Sequence, residues 1–176
     1  PSDPNTYTVG DTVTVLGPGT MTRAGYTFSG WDTLPAGGGE AYAEGETLIM
    51  PAENVTLYAQ WTALDYTVTY DGNGSDGGTV PTDPNTYTVG STVTVLAPGS
   101  MSRTGYTFSG WNTEQAGTGT GYAENDTFLM PAENVTLYAQ WTALDYTVTY
   151  DGNGSDGGTV PTDPNTYNVG DTVTVL

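Results

Sequence analysis

The stretch TALDYTVTYDGNGSDGG spans residues 62–78 and recurs unchanged at 142–158. Its first part alternates: Tyr66, Val68 and Tyr70 fall on one side, Thr67 and Thr69 on the other. A two-residue period of this kind reads as a strand with one apolar face. Asp71-Gly72 and Asn73-Gly74 follow, and both dipeptides favour turns that need positive φ. Two readings of the block compete. It is a site, with Asp71, Asn73, Ser75 and Asp76 gathering oxygens around a cation. Or it is a strand and its turn, reused because a whole building block is reused.

The repetition extends well beyond the block. Residues 1–80 align without gaps to 81–160, with 64 of 80 positions identical, and 161–176 begin a third copy. Ten of the sixteen differences lie between Asp32 and Ile49. That zone reads LPAGGGEAYAEGE in one copy and EQAGTGTGYAEND in the other, a Gly-rich loop that tolerates change. A period of 80 is longer than common solenoid units and long enough for a small domain with a thin core. If a unit opens with the YTVTY strand, 64–143 is one complete repeat. Residues 1–63 are then a partial repeat lacking its first strand, and 144–176 another partial repeat. The alternative phase is 1–80, 81–160 and a remainder of 161–176.

Within 64–143 the strand patterns continue. Val93 and Val95 alternate in TVTVL. Tyr106 and Phe108 share a face, with Gly110 placed for a bulge beside Trp111. Val135, Leu137, Ala139 and Trp141 alternate in the last strand. Residues 99–105 leave room for one helical turn, and no amphipathic helix of normal length is present. The expected fold is mostly β, four to five strands per repeat. The expected core is Tyr66, Val68, Val93, Val95, Phe108, Trp111, Leu137 and Trp141.

YTVTYDGNG, GGTV, a TVTVL strand, RTGYTFSGWNT and ENVTLYAQW together resemble the Listeria–Bacteroides repeat, a family that includes the B-repeat of internalins. The resemblance covers Tyr66–Trp141 fully and 1–61 and 146–176 in part. It implies small β-grasp-like domains in tandem, acting as a stalk or interaction module on a bacterial or archaeal surface. The period here is longer than usual for the family, with the extra residues near 82–90.

Composition narrows the function. The net charge is −18, and the only basic side chains are Arg23 and Arg103. Nucleic-acid phosphates and anionic membrane surfaces need Lys and Arg, so neither is an expected partner. No apolar run approaches the ~20 residues of a spanning helix. Absence of Cys and His removes disulfides, thiol chemistry and the commonest general base. No nucleophile elbow or buried carboxylate pair is evident, so an enzyme is not expected.

Four sets of residues remain as site candidates. The first is calcium at Asp71, Asn73, Ser75 and Asp76 and at Asp151, Asn153, Ser155 and Asp156, with Asp3, Asp83 and Asp163 available to complete a cage. A hard cation wants six to eight such oxygens. Thr82 stands where a distal bidentate Glu would be needed, and an Asx-type turn accounts for the same residues. Otherwise no cofactor is expected. The second is Tyr42 and Tyr122, inside the variable zone and available to a glycan or protein partner. The third is Trp31 and Trp111, which are read as core. The fourth is Arg23 and Arg103, read as structural, each clasping a carboxylate or stacking on an aromatic ring.

The functional expectation is an extracellular spacer that projects a distal domain, its partners being neighbouring repeats. The alternatives are an adhesion module using the Gly-rich loops, or head-to-tail self-association by strand addition. In the last case, residues 144–176 of one chain supply the strand that 1–63 of another lacks.

Overall fold

The computed structural model describes all residues, 1–176. It consists of strands and turns and contains no helix. Residues 99–105 form turns, with Ser102 bridged to Gly77. Packing divides the chain into two units. The first holds Pro1–Tyr66, Thr86–Ser91 and Leu129–Glu133; the second holds Thr67–Asn85, Thr92–Phe128 and Asn134–Leu176.

In the first unit, β1 (Thr12–Thr14) pairs antiparallel with β4 (Thr47–Ile49). A three-stranded sheet is ordered β3 (Ala41–Tyr42), β2 (Tyr26–Asp32), β5 (Tyr58–Ala63). Val15, Trp31 and Leu48 are buried between them, with Val13, Phe28, Val55 and Leu57 packed around at partial exposure.

The second unit uses the same sequence patterns and adds a strand. Its four-stranded sheet is ordered β6 (Val68–Asp71), β11 (Val135–Ala143), β8 (Tyr106–Asn112), β9 (Gly121–Tyr122). β7 (Thr92–Thr94) and β10 (Thr127–Leu129) form a two-stranded sheet. β9 comes from the zone read as a loop. The added strand is β6, parallel to β11 with Val68 opposite Val135 and Asp71 opposite Tyr138. The period-two pattern decides which side chains go in: Val68 and Tyr70 are buried, Thr69 is exposed.

Both long hairpins carry a bulge where the sequence places it. Phe108 pairs with Trp141 and Gly110 with Gln140, leaving Ser109 extra. Gly110 has φ 138°, and a Cβ there would stand 3.0 Å from the Tyr122 carbonyl oxygen. A side chain is therefore excluded by both backbone and space.

The core of the second unit includes Val68, Tyr70, Val93, Val95, Trp111, Leu137 and Ala139. Three residues expected in it are only half-buried: Tyr66, Phe108 and Trp141. Tyr66 bridges Tyr87 in an isolated pair. Phe108 and Trp141 extend an edge-to-face series from Trp111, with ring centroids 5.2 Å and 5.8 Å apart. The half-buried Trp141 donates its indole N–H to the Gly72 carbonyl at 3.0 Å. Tyr70 takes the interior place, edge-on to Trp111 at 4.7 Å.

The duplicated block thus adopts two structures. Residues 68–71 are a strand; residues 148–151 are not. The sequence is the same, and β11 is the partner that only the first copy meets. Strand formation here is a property of pairing and burial, more than of local propensity.

Candidate functional site: the turn, the loop and an open strand groove

The DGNGSD turn is held by its own polar groups. Asp71 Oδ1 accepts the Asn73 N–H at 2.7 Å, and Asn73 sits at φ 44°, the left-handed conformation its neighbour-bonded side chain tolerates. Asn73 Nδ2 donates to the Gln115 and Ala139 carbonyls at 3.0 and 2.8 Å, tying the turn to the sheet. Asp76 Oδ2 accepts the Thr104 N–H at 2.8 Å. That bond, first among several, lowers the Asp76 carboxyl below the ordinary aspartate range, and the Arg103 charge adds the smallest push. In the second copy, Asp151 accepts the Asn153 N–H at 2.8 Å. Asp3, Asp83 and Asp163 each accept the N–H two residues on. Nowhere do three or more acidic side chains gather as a metal would require. The carboxylates of Asp71, Asp76 and Asp151 are thus each engaged by backbone N–H groups, as in Asx-type turns.

Of the two partners considered for the arginines, each meets an aromatic ring. The Arg23 guanidinium carbon lies 3.8 Å from the Tyr26 ring centroid, and that of Arg103 lies 4.1 Å from Tyr106. Tyr42 and Tyr122 are half-buried. Tyr42 donates its hydroxyl to Glu40 at 2.8 Å, while Tyr122 rests against the Phe128 ring at 5.2 Å. Beside Tyr42, with Glu40 and Glu53 in its wall, lies a polar hollow of about 400 Å³.

The Gly-rich loop is organised by a residue the sequence reading did not single out. Asp32, buried at the end of β2, accepts the Leu34 and Gly39 N–H groups at 2.7 and 3.1 Å. Asn112 does the same in the second copy, with Glu114 and Gly119 at 2.8 and 3.0 Å. Its amide also donates to the Gly117 and Gly119 carbonyls at 3.3 Å. The signal was present: an Asp-to-Asn exchange keeps one acceptor oxygen, the atom that both loops use.

A concavity lies in the first unit. It has a volume of about 570 Å³ and is lined by Val13, Val15, Leu16, Trp31, Leu48, Val55 and Leu57, with part of Pro1–Tyr7 at its rim. These are the 80-residue counterparts of the walls that enclose Val68 and Tyr70 in the second unit. The same positions differ in burial accordingly. Val93 and Leu137 are 0 % exposed, whereas Val13 and Leu57 are half-buried. β11 begins at Val135, but β5 begins only at Tyr58, because Val55–Leu57 have no parallel strand beside them.

The model of the Listeria–Bacteroides repeat domain matches residues 2–60 and 66–140. The chain belongs to the Listeria–Bacteroides repeat family. The second repeat's match opens at Tyr66, just before β6; the first repeat's match opens at Ser2. Among curated proteins, the chain is similar to internalin H of Listeria monocytogenes, 39 % identical over 139 residues, covering 78 % of this chain and 23 % of that one. It is also similar to a protein of Evansella cellulosilytica named as a candidate Gly-rich membrane protein, 43 % identical over 158 residues, covering 88 % of this chain and 18 % of the relative. A second Evansella protein, named as a candidate membrane protein, is 42 % identical over 130 residues, covering 73 % and 19 %. The chain thus spans about a fifth of the length of the curated relatives it matches. No solved structure matches it. In these repeats no helix is long and apolar enough to cross a membrane.

Proposed function

We propose that this chain is a segment of an extracellular tandem-repeat stalk of a cell-surface protein, non-catalytic, with a repeat running from residue 64 to 143. The observation that carries the reading is a contact that recurs 80 residues on. A Cβ built on Gly25 would stand 2.7 Å from Val89, and one on Gly105 would likewise overlap Val169. Val89 and Val169 lie one YTVTY strand further along the chain than the glycines they touch. Leu64 and Leu144 each donate an N–H to the carbonyl of the same glycine at 2.8 Å. A contact that recurs with the sequence inside each unit is what a regular array of repeats needs. The parallel pairing of β6 with β11 supports the 64–143 phase. The similarity to internalin H and to two proteins named as candidate membrane proteins supports a surface location. A charge of −18 keeps neighbouring chains apart and soluble.

The test is small-angle X-ray scattering with absolute mass on chains lengthened by one and two further 80-residue copies, with and without calcium. A constant increment in maximum dimension per copy, unchanged by calcium, supports the stalk. A maximum dimension that stops growing as copies are added rejects it.

A second reading, a binding module, is favoured by one observation: one side of the hollow beside Tyr42, with Glu40 and Leu48, falls in the zone where the copies differ. There Thr120 replaces Glu40 and Phe128 replaces Leu48. Exchanging residues 32–49 for the sequence of 112–129 should then abolish capture of a glycan or protein on an array. Equal capture by both forms removes this reading.

A further inference from the structure

A side-chain amide is lost most readily where asparagine precedes glycine, because no Cβ hinders the next backbone nitrogen from reaching the side-chain carbon. Asn73 and Asn153 are the only asparagines of this chain followed by glycine. Asn73 is also a fastener. Its Nδ2 donates to the Gln115 and Ala139 carbonyls at 3.0 and 2.8 Å, and its backbone N–H donates to Asp71 Oδ1 at 2.7 Å. The turn it closes presents the Gly72 carbonyl to the Trp141 indole N–H at 3.0 Å. Gly74, the residue that follows, is exposed to solvent.

We propose that Asn73 is a site of spontaneous modification, a latch that the folded repeat protects and that succinimide formation opens for good. Hydroxide takes the proton of the Gly74 N–H, and that nitrogen attacks Asn73 Cγ. The new C–N bond closes the succinimide ring, the Cγ–Nδ2 bond breaks, and the amide nitrogen leaves as ammonia. Water then opens the ring at either carbonyl, giving aspartate or an isoaspartyl link. Ring closure expels Nδ2 and turns the Asn73–Gly74 peptide, so both carbonyl bonds must break first. The folded turn therefore opposes the reaction, and each opening of the turn permits it.

The product cannot refasten the turn. An oxygen in the place of Nδ2 would face two carbonyl oxygens at 3.0 and 2.8 Å with no proton between them. The isoaspartyl link also adds a carbon to the backbone of the turn. Gly72 is then no longer held in place for the Trp141 indole, so the change reaches the aromatic series of the sheet. A repeat whose turn has opened long enough to react keeps a covalent record of it, with a negative charge added. This inference does not rest on the stalk reading, since every bond in it lies inside the second unit.

The experiment incubates chain 1–176 at mildly alkaline pH, folded and in urea, and follows conversion at Asn73 by peptide mass. Cleavage after Arg103 places Asn73 and Asn153 on separate fragments, so each is read alone. The mass gain separates this reaction from isomerisation at Asp71 and Asp76, which also precede glycine and keep their mass. The expected result is conversion at Asn73 slower in the folded chain than in urea by about tenfold or more, the factor two hydrogen bonds supply. Stability is then read on a chain carrying Asn153→Gln, in which Asn73 alone can react. The converted form should unfold at lower urea and show a shifted tryptophan emission, and Asn73→Asp made directly should also unfold at lower urea. Equal rates in the two states, or no conversion in either, overturn the proposal. So does a converted chain with the parent's urea midpoint and emission.

Discussion

The Tyr70 ring stands edge-on to Trp111 with centroids 4.7 Å apart, and the Tyr70 hydroxyl accepts the Leu96 N–H. Tyr150 occupies the same place in an identical stretch of seventeen residues, and its ring has no such partner. The two tyrosines therefore separate what sequence encodes from what packing adds. Tyr70→Ala should destabilise the second unit by about 3–5 kcal/mol, the range for truncating a buried aromatic. Tyr70→Phe keeps the ring and should cost about 1 kcal/mol for the hydrogen bond. Tyr150→Ala should shift monomer stability by no more than about 0.5 kcal/mol. Urea unfolding followed at the tryptophans checks all three. Equal losses at Tyr70 and Tyr150 would mean that the tail is as firmly packed as the sheet.

Gly78 and Gly158 make a second matched pair. Both adopt positive φ, 72° and 87°, so an alanine at either is strained by the backbone alone. Only Gly78 lies against other backbone: its added Cβ would collide with the Ser100 carbonyl oxygen, whereas Gly158 has nothing within 4 Å. Gly78→Ala should therefore cost about 1–3 kcal/mol more than Gly158→Ala, the usual penalty of overpacking. The same urea titration reads the difference. Identical losses would show that φ, and no close approach, decides this position.

These pairs also mark where sequence reading stops. Alternation in YTVTY and VTLYAQW is enough to place β6 and β11 and to say which side chains face inward. The Phe-Ser-Gly-Trp run is enough to locate a bulge. What alternation does not contain is a partner: the strand at 68–71 exists because β11 lies beside it, and the equal stretch at 148–151 has none. Aromatic content points to Phe108 and Trp141 as core, yet both lie at the outer end of the ring series that starts at Trp111 and are half-buried. Tyr70 was visible as an inward residue, and its place against Trp111 was not.

The loop that differs most between copies depends on one buried oxygen. Asn112 Oδ1 holds the Glu114 and Gly119 N–H groups, and its amide N–H groups hold two carbonyls. Asn112→Ala strands these groups at the end of β8 and should destabilise the second unit by about 1–3 kcal/mol. Asn112→Asp retains the acceptor, as Asp32 does in the first copy, and should cost less. Amide exchange across residues 113–121 is the measurement. Faster exchange in the alanine variant alone is the expected outcome, and unchanged exchange in both would remove Asn112 as the organiser.

Asp76 gives the fold an acid-sensitive tie. Its carboxylate accepts the Thr104 N–H, and that bond holds its folded pKa below the ordinary range. A depressed aspartate pKa contributes stability that is fully present above the unfolded value and is lost as pH falls through the folded one. The window therefore lies below about pH 4, the unfolded aspartate value. Because Asp76 is fully solvent-accessible, the effect is local to the turn and the 100–104 loop. Chemical shifts of the Thr104 amide should move in that window, and Asp76→Asn should remove the movement while leaving the Asn73 amide bonds to Gln115 and Ala139 intact. A Thr104 amide that titrates in the Asn variant as in the parent would assign the acid response to another carboxylate.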